Sequence, residues 1–283
     1  MKHKFLIGTA FALILIGAIG MAFNKFKFEA EYPAYQQRWT VTAQDLKKLA
    51  IEGNVDMEVS FETGEGSEGY IDFQGNVHQE VIDRLKQLKP EGSEFKMDLY
   101  PPETFKVFSV NLQSARGKLQ VVLPKSTRLD ELSLSSNSSD LEVSSASAKK
   151  MKIKSLSGHI KLNEITADEL ILNNHSGDIS GTGITGGVKA GTLSGSIDLK
   201  QLEGESYSET HSGSVELTLK GVSSIDVKTL SGDVDIVPDP GFDGFYEATT
   251  LSGDITIPKS PKESKHTIKV DTHSGNIDIA PTK

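Results

Sequence analysis

Three histidines, His175, His211 and His273, each stand two residues before a glycine that follows a serine, and leucine fills the same place at 156, 193, 230 and 251. Imidazole at a recurring position raises the question of a metal centre. Ligands must converge within about 2 Å of one ion. If successive repeats stack, His175 and His211 lie two layers and about 9.6 Å apart with Leu193 between them, which suits surface or corner histidines and not a zinc site. Carboxylates offer a better case. Asp140, Asp178, Asp233 and Asp254 follow the glycine position by one residue, and Asp198, Glu216, Asp235 and Asp278 follow it by three. Stacked in chain order, Asp233 and Asp254 would be one layer apart with Asp235 beside them and Asp239 and Asp243 in the next loop. A hard cation such as calcium would relieve that repulsion, so Asp233, Asp235 and Asp254 are the candidate metal ligands. Against this, the spacing matches neither an EF-hand nor the glycine-aspartate nonapeptide of calcium-binding rolls, and aspartate, serine and asparagine are ordinary turn residues.

Nucleophilic and glycosidic chemistry find less support. A serine before each corner is a repeated structural ladder sooner than a set of nucleophiles, and no catalytic residue is assigned. The chain has no GxSxG, no phosphate-cradling loop and no HExxH, and it implies no cofactor. A polysaccharide-acting β-helix would need paired carboxylates in a groove built by long loops. Only Pro238–Phe245 and Pro258–Lys265 are long here.

The element that must position all these residues is the repeat itself. Ser-Gly pairs end at Gly158, Gly177, Gly195, Gly213, Gly232, Gly253 and Gly275, spaced by 19, 18, 18, 19, 21 and 22 residues. Such a unit cannot bury its own apolar side chains and must borrow neighbours. Seven and five residues before the glycine stand pairs such as Met151 and Ile153, Leu170 and Leu172, or Ile268 and Val270. Two and four residues after it stand Ile160 and Leu162, Ile197 and Leu199, Val234 and Ile236, and Ile255 and Ile257. Alternation at period two on both sides of a corner predicts two short strands per unit, each with one face inward. An eighth unit is visible if Ser139 takes the glycine's place, flanked by Leu132, Leu134, Leu141 and Val143. The fold class is therefore all-β, a parallel β-solenoid of about eight coils over residues 126–283, on the order of 40 Å long. The corner glycines are expected at positive φ. Small polar residues three before each corner, Ser136, Ser155, Asn174, Thr192, Thr210, Thr229, Thr250 and Thr272, are expected to point inward and hydrogen-bond one another along the axis. One unit is weak: Ser206 and Ser208 hold inward positions around Tyr207, which predicts either a register slip or loose packing.

Ahead of the repeat, residues 1–4 form a basic leader and residues 5–23 run without a charge, nearly the length needed to cross a bilayer as a helix. Gly20-Met21-Ala22 also fits cleavage after Ala22, which would release a secreted chain. The leading positive flank orients residues 24–283 outside, and residues 24–45 form a linker. Phe23, Phe26, Phe28, Tyr32, Tyr35 and Trp39 suit a headgroup boundary, or pack on the first strand. Residues 46–125 read as a strand-rich cap with a short amphipathic helix over 77–88, stopped by Pro90, and with further strands that include Lys106 to Gln113. Beyond the span lie 28 basic and 39 acidic residues, a balance that disfavours nucleic acid. The chain has no cysteine, hence no disulfide and no lipoprotein attachment site.

The run VVLPKSTRLDELSLSSNSSDLEVSSASAKKMKIKSLSGHIKL from Val121 to Leu162, followed by SGDI-type corners, resembles the bacterial putative-adhesin family of β-strand-repeat proteins, with the leading anchor matching its LiaG-like membrane-anchored members. The resemblance covers about residues 46–280. It implies a β-solenoid at the cell envelope, sometimes tied to envelope stress, and brings no catalytic residue, because the shared motif is the corner. Ser139 in place of a corner glycine and the polar unit at 206–208 depart from the pattern. The expected function is a noncatalytic, membrane-anchored extracytoplasmic module that contacts a cell-wall polymer or an envelope membrane protein. The alternatives are a regulatory or sensory subunit of a membrane-embedded partner, and an enzyme acting on polysaccharide.

Overall fold

The structure, a computed structural model, describes residues 32–42, 46–66, 68–90, 92–101, 115–125 and 127–280. The anchor at 5–23, the cleavage site after Ala22, Phe23, Phe26, Phe28 and the strand expected over 106–113 lie outside those residues. Among the described residues no helix is long and apolar enough to cross a membrane.

In chain order the elements are β1 (Ala34–Thr42), β2 (Lys48–Gly53), β3 (Asp56–Gly64), β4 (Glu68–Asn76), α1 (Gln79–Gln87), β5 (Glu94–Leu99), β6 (Arg116–Pro124), β7 (Leu129–Ser136), β8 (Leu141–Ser144), β9 (Ser147–Ser155), β10 (Ile160–Asn173) and β11 (Ile179–Thr192). They continue with β12 (Ile197–Glu203), β13 (Ser206–Ser212), β14 (Val215–Leu219), β15 (Ile225–Ser231), β16 (Val234–Val237), β17 (Phe245–Ser252), β18 (Ile255–Thr256), β19 (Thr267–Ser274) and β20 (Ile277–Ile279). This is an all-β, solenoid-like stack. Two parallel ladders meet at the serine-glycine corner. One passes through β5, β2, β7, β9, β10, β11, β13, β15, β19 and β17. The other passes through β6, β3, β8, β10, β11, β12, β14, β16, β20 and β18.

The residues flanking the corner pair in register through the repeat units, with shifts farther from it between Thr166 and Glu169 and between Leu199 and Leu202, and two further layers built from β2/β3 and β5/β6 extend the stack at its amino-terminal end. The alternating residues behave as their parity requires: Ile153, Leu172, Ile197, Leu199, Val215, Leu217, Val234 and Ile277 are all buried. Burial of each such side chain is worth about 1.5–3 kcal/mol, so a continuous aliphatic interior supports the chain without disulfides. In four successive layers a second bend falls six residues after the corner, where Ser145, Glu164, Gly183 and Gln201 adopt φ of 56°, 54°, 69° and 53°.

Chain order and stacking order part company at both ends. At the amino-terminal end, β2/β3 sits between β5/β6 and β7/β8. At the other end the last unit in sequence, β19/β20, fills the slot against β15/β16, and the preceding unit, β17/β18, is displaced to the outside. The inner slot thus receives Ile268, Val270, Ile277 and Ile279, all buried, while Tyr246 and Ala248 are left half-buried at the end. Ile255 and Ile257, expected to be interior, are 43% and 38% exposed because no further layer covers them. Asp239 fastens the loop that makes the detour possible. Its carboxylate accepts the Gly221 and Gly241 N–H groups at 2.7 and 2.8 Å, and those bonds hold its pKa below the usual carboxylate range.

The amino-terminal end is covered. β1 and β4 add to β6 as antiparallel strands, and α1 lays Val81, Ile82 and Leu85 onto the end of the stack. Trp39 is not a headgroup residue. It is buried against Phe95 edge to face at 5.2 Å, and its indole N–H donates to the Leu88 carbonyl at 3.0 Å, satisfying one of the acceptors that a helix end leaves free.

Candidate functional site at the corner column

The corner is built by three residues acting on one carbonyl. At each of the seven corner glycines a β-carbon would lie 1.9–2.2 Å from the carbonyl oxygen of the corner residue in the adjacent layer. Close approach, and not dihedral freedom, is therefore the common reason for glycine. Only Gly232, Gly253 and Gly275 have positive φ, at 154°, 144° and 151°, which corrects the expectation of positive φ at every corner. The inward polar residues also differ from expectation, because they do not bond one another. Thr192, Thr210, Thr229 and Thr250 donate to the corner carbonyls of Gly177, Gly195, Gly213 and Gly275 at 3.2, 3.0, 3.3 and 3.1 Å. Asn174 does the same to Gly158 at 2.7 Å. A buried carbonyl needs a partner, and the adjacent layer supplies it more directly than a hydroxyl chain would. Ser136 and Ser155 instead accept the backbone N–H of Ser139 and Gly158 within their own turns.

The carboxylates one residue after the corner are engaged in the same way. Asp140 accepts the His159 N–H at 2.7 Å, Asp178 accepts that of Ser196 at 2.9 Å, and Asp233 accepts that of Asn276 at 2.7 Å. Of the three candidate calcium ligands, Asp254 is therefore not beside Asp233. The layer of β19/β20 intervenes, and Asn276 accepts the Asp254 N–H at 3.0 Å. Asp235 belongs to a different row, on the outer face of β16 opposite Glu216 on one side and Asp278 on the other. Desolvation, and then the Asp278, Asp233 and Glu216 charges, push its pKa up. Among the described residues no three His, Cys, Asp or Glu side chains converge as a metal site.

The polar unit does not slip. Ser206 and Ser208 stay inward, opposite Val188 and Ala190 on one side and Ile225 and Val227 on the other, and their hydroxyls are buried without a hydrogen-bond partner. Tyr207 faces out, donates to Glu209 at 2.6 Å and lies 5.3 Å from the Lys228 ammonium. The Glu209 hydrogen bond, reinforced by desolvation, pushes its phenol up to about 12. It borders a groove of about 700 Å3 that also includes Glu169, Lys189, Asp226, Glu247 and Lys269. Hydrogen bonds from Lys150 and Lys189, its ion-pair partners at 2.8 and 3.2 Å, hold Glu169 below the usual carboxylate range. A second groove, about 630 Å3, lies where β1, β4 and β6 meet β3 and β8, and includes Tyr35, Met57, Glu58 and Lys118.

His175, His211 and His273 are exposed and separated by leucines, as their spacing predicted. What residue types alone could not reveal is the commitment of the aspartates and threonines to bonds between layers. The recurrence of these types at fixed offsets was the available signal.

Several solved structures resemble the chain. A putative lipid binding protein from Parabacteroides distasonis is 14% identical, with a TM-score of 0.43, over 90% of this chain and 97% of that one. A putative adhesin from Bacteroides fragilis is 14% identical, with a TM-score of 0.44, over 89% and 99%. A putative adhesin from Parabacteroides distasonis is 10% identical, with a TM-score of 0.44, over 88% and 99%. No curated protein matches the chain. Residues 46–280, which hold every corner described above, match the family model Toastrack DUF4097, and the chain belongs to that family.

Proposed function

We propose that this protein is a noncatalytic interaction module of the cell envelope, held in the membrane through residues 5–23 with its stack outside, and that it is a LiaG-like member serving under envelope stress. The observation that carries the reading is the division of labour in each layer. Most polar groups at the corner are used in bonds between layers or within the turn, while outward residues of layers about 4.8 Å apart form straight rows that offer a long, regular contact surface. On one face such a row runs Lys152, Ile171, Lys189, Tyr207, Asp226, Lys269 and Glu247. Mixed charge of this kind suits a wall polymer or a membrane protein, and gives no basic patch for nucleic acid. Crosslinking intact cells and recovering the full chain should bring down one such partner. Recovery that survives replacement of Lys189, Tyr207 and Lys269 by alanine, or no partner under several growth conditions, refutes the reading.

A regulatory role for the anchor is the second reading, favoured by the aromatic residues that follow the apolar run in the sequence, Phe23, Phe26, Phe28, Tyr32 and Tyr35. Exchange of residues 1–28 for an unrelated anchor would abolish regulation but leave adhesion intact.

A further inference from the structure

Two residues before each corner, the stacking order converts an irregular sequence into a strict alternation. In chain order the positions read Leu156, His175, Leu193, His211, Leu230, Leu251, His273. In space, His273 falls between Leu230 and Leu251, because β19 pairs with both β15 and β17. Seven successive layers therefore present leucine and histidine in turn, over about 29 Å at about 4.8 Å per layer. No residue in this row carries a fixed charge, in a chain that is 24% charged. The four leucines are 42–75% exposed. Seven large apolar side chains are exposed among the described residues; four are these leucines, and Ile255 and Ile257 belong to the same end layer as Leu251.

We propose that this ridge is a lipid contact, on which the stack lies side-on against the bilayer that its anchor enters. The proposal rests on the anchored reading above. Three features select a bilayer over a protein or a small ligand. Neither of the two grooves described above includes any residue of the row, so neither would enclose a rigid partner against it. Its leucines recur about 9.6 Å apart with imidazoles between them, an arrangement of apolar tips and amphipathic rings that a deformable headgroup layer accommodates. The ten residues 24–33 between the apolar run and β1 would span at most about 36 Å, so a domain tethered by 5–23 stays within contact range of the surface. The rows four before and one after the glycine mix charged with neutral residues, with Lys154, Glu209, Lys228 and Asp271 in the first and Asp140, Asp178, Asp233 and Asp254 in the second. They would lie at the depth of the headgroups. The aspartate excess makes a zwitterionic surface the better partner than an anionic one.

The chain has no cysteine, so one introduced thiol gives a unique label. The full chain carrying Ser194→Cys, beside Leu193 on the ridge, or Lys152→Cys, on a strand face, is labelled with an environment-sensitive dye and reconstituted into phosphatidylcholine vesicles containing nitroxide-bearing lipid. The ridge label should be quenched by the lipid nitroxide and shielded from iodide, and the face label should show the reverse. Replacing Leu156, Leu193, Leu230 and Leu251 by serine should return the ridge label to water. A ridge label as open to iodide as the face label in the otherwise unaltered chain overturns the proposal, a comparison independent of how the serine variant folds. Flotation after an alkaline wash reads the anchor separately. Chain retained by vesicles with an aqueous ridge label refutes the ridge alone, chain washed off after lipid quenching refutes the anchor alone, and chain that neither floats nor is quenched refutes both.

Discussion

Replacing Gly195 with alanine places a β-carbon 2.1 Å from the Gly177 carbonyl oxygen and 2.6 Å from its carbon, in the middle of the stack. Both atoms are backbone, so no flexible side chain can yield. Relief requires the two layers to part locally by roughly 1 Å, a shift that also breaks the Thr192 bond to that same oxygen, 3.2 Å long. Overpacking of this kind costs about 1–3 kcal/mol, and a buried carbonyl left without its donor costs about 1–3 kcal/mol more. We therefore expect Gly195→Ala to lose about 2–6 kcal/mol, a large part of a stability that is typically about 5–15 kcal/mol. With an m-value of about 3 kcal/mol per molar urea, the midpoint falls by roughly 0.7–2 M. The control is Gly191→Ala, where the nearest atoms to a β-carbon are 3.9 Å away, and a change within about 0.5 kcal/mol is expected. Urea unfolding followed by far-ultraviolet circular dichroism compares the two. Equal midpoints for Gly195→Ala and Gly191→Ala would refute close stacking as the reason for the corner glycines.

Three further outcomes follow from particular side chains. Ser208→Ala removes a buried hydroxyl that has no partner, and should raise the urea midpoint by about 1 kcal/mol in stability terms, whereas Thr210→Val, which strips the donor from the Gly195 carbonyl, should lower it by about 1–3 kcal/mol. Absorbance titration should show one tyrosine ionising near 12, and Glu209→Gln should bring it down; the raised phenol adds stability that is lost as pH climbs from about 10 through about 12. Because the Asp235 pKa is raised in the fold, its ionisation weighs against folding at neutral pH, so Asp235→Asn should melt higher than wild type at pH 7, with the gap closing as wild type is protonated in acid. A gap unchanged between pH 7 and pH 4 would show that neither the desolvation of Asp235 nor the neighbouring Asp278, Asp233 and Glu216 charges is the cause.

The sequence by itself determined the facing of nearly every strand residue and the place of every corner. Period-two alternation is a local property, and a strand that puts Ile197 inward must put Asp198 outward whatever it pairs with. The same local logic read a helix over 77–88 from its apolar spacing and its stop before Pro90, where α1 runs from Gln79 to Gln87. It failed where a bond partner comes from the adjacent layer. Thr210 could be placed inward from its offset, but its acceptor, the Gly195 carbonyl, exists only in the stack. Stacking order was decided by tertiary structure alone, because parallel strands of like register pair equally well by backbone, and the choice of neighbour falls to packing and loop reach. The longer steps of 21 and 22 residues at Gly253 and Gly275 were the trace left in the sequence. They are what allow the more apolar unit at 267–279 to take the interior slot, separate Asp233 from Asp254, and bring His273 between Leu230 and Leu251.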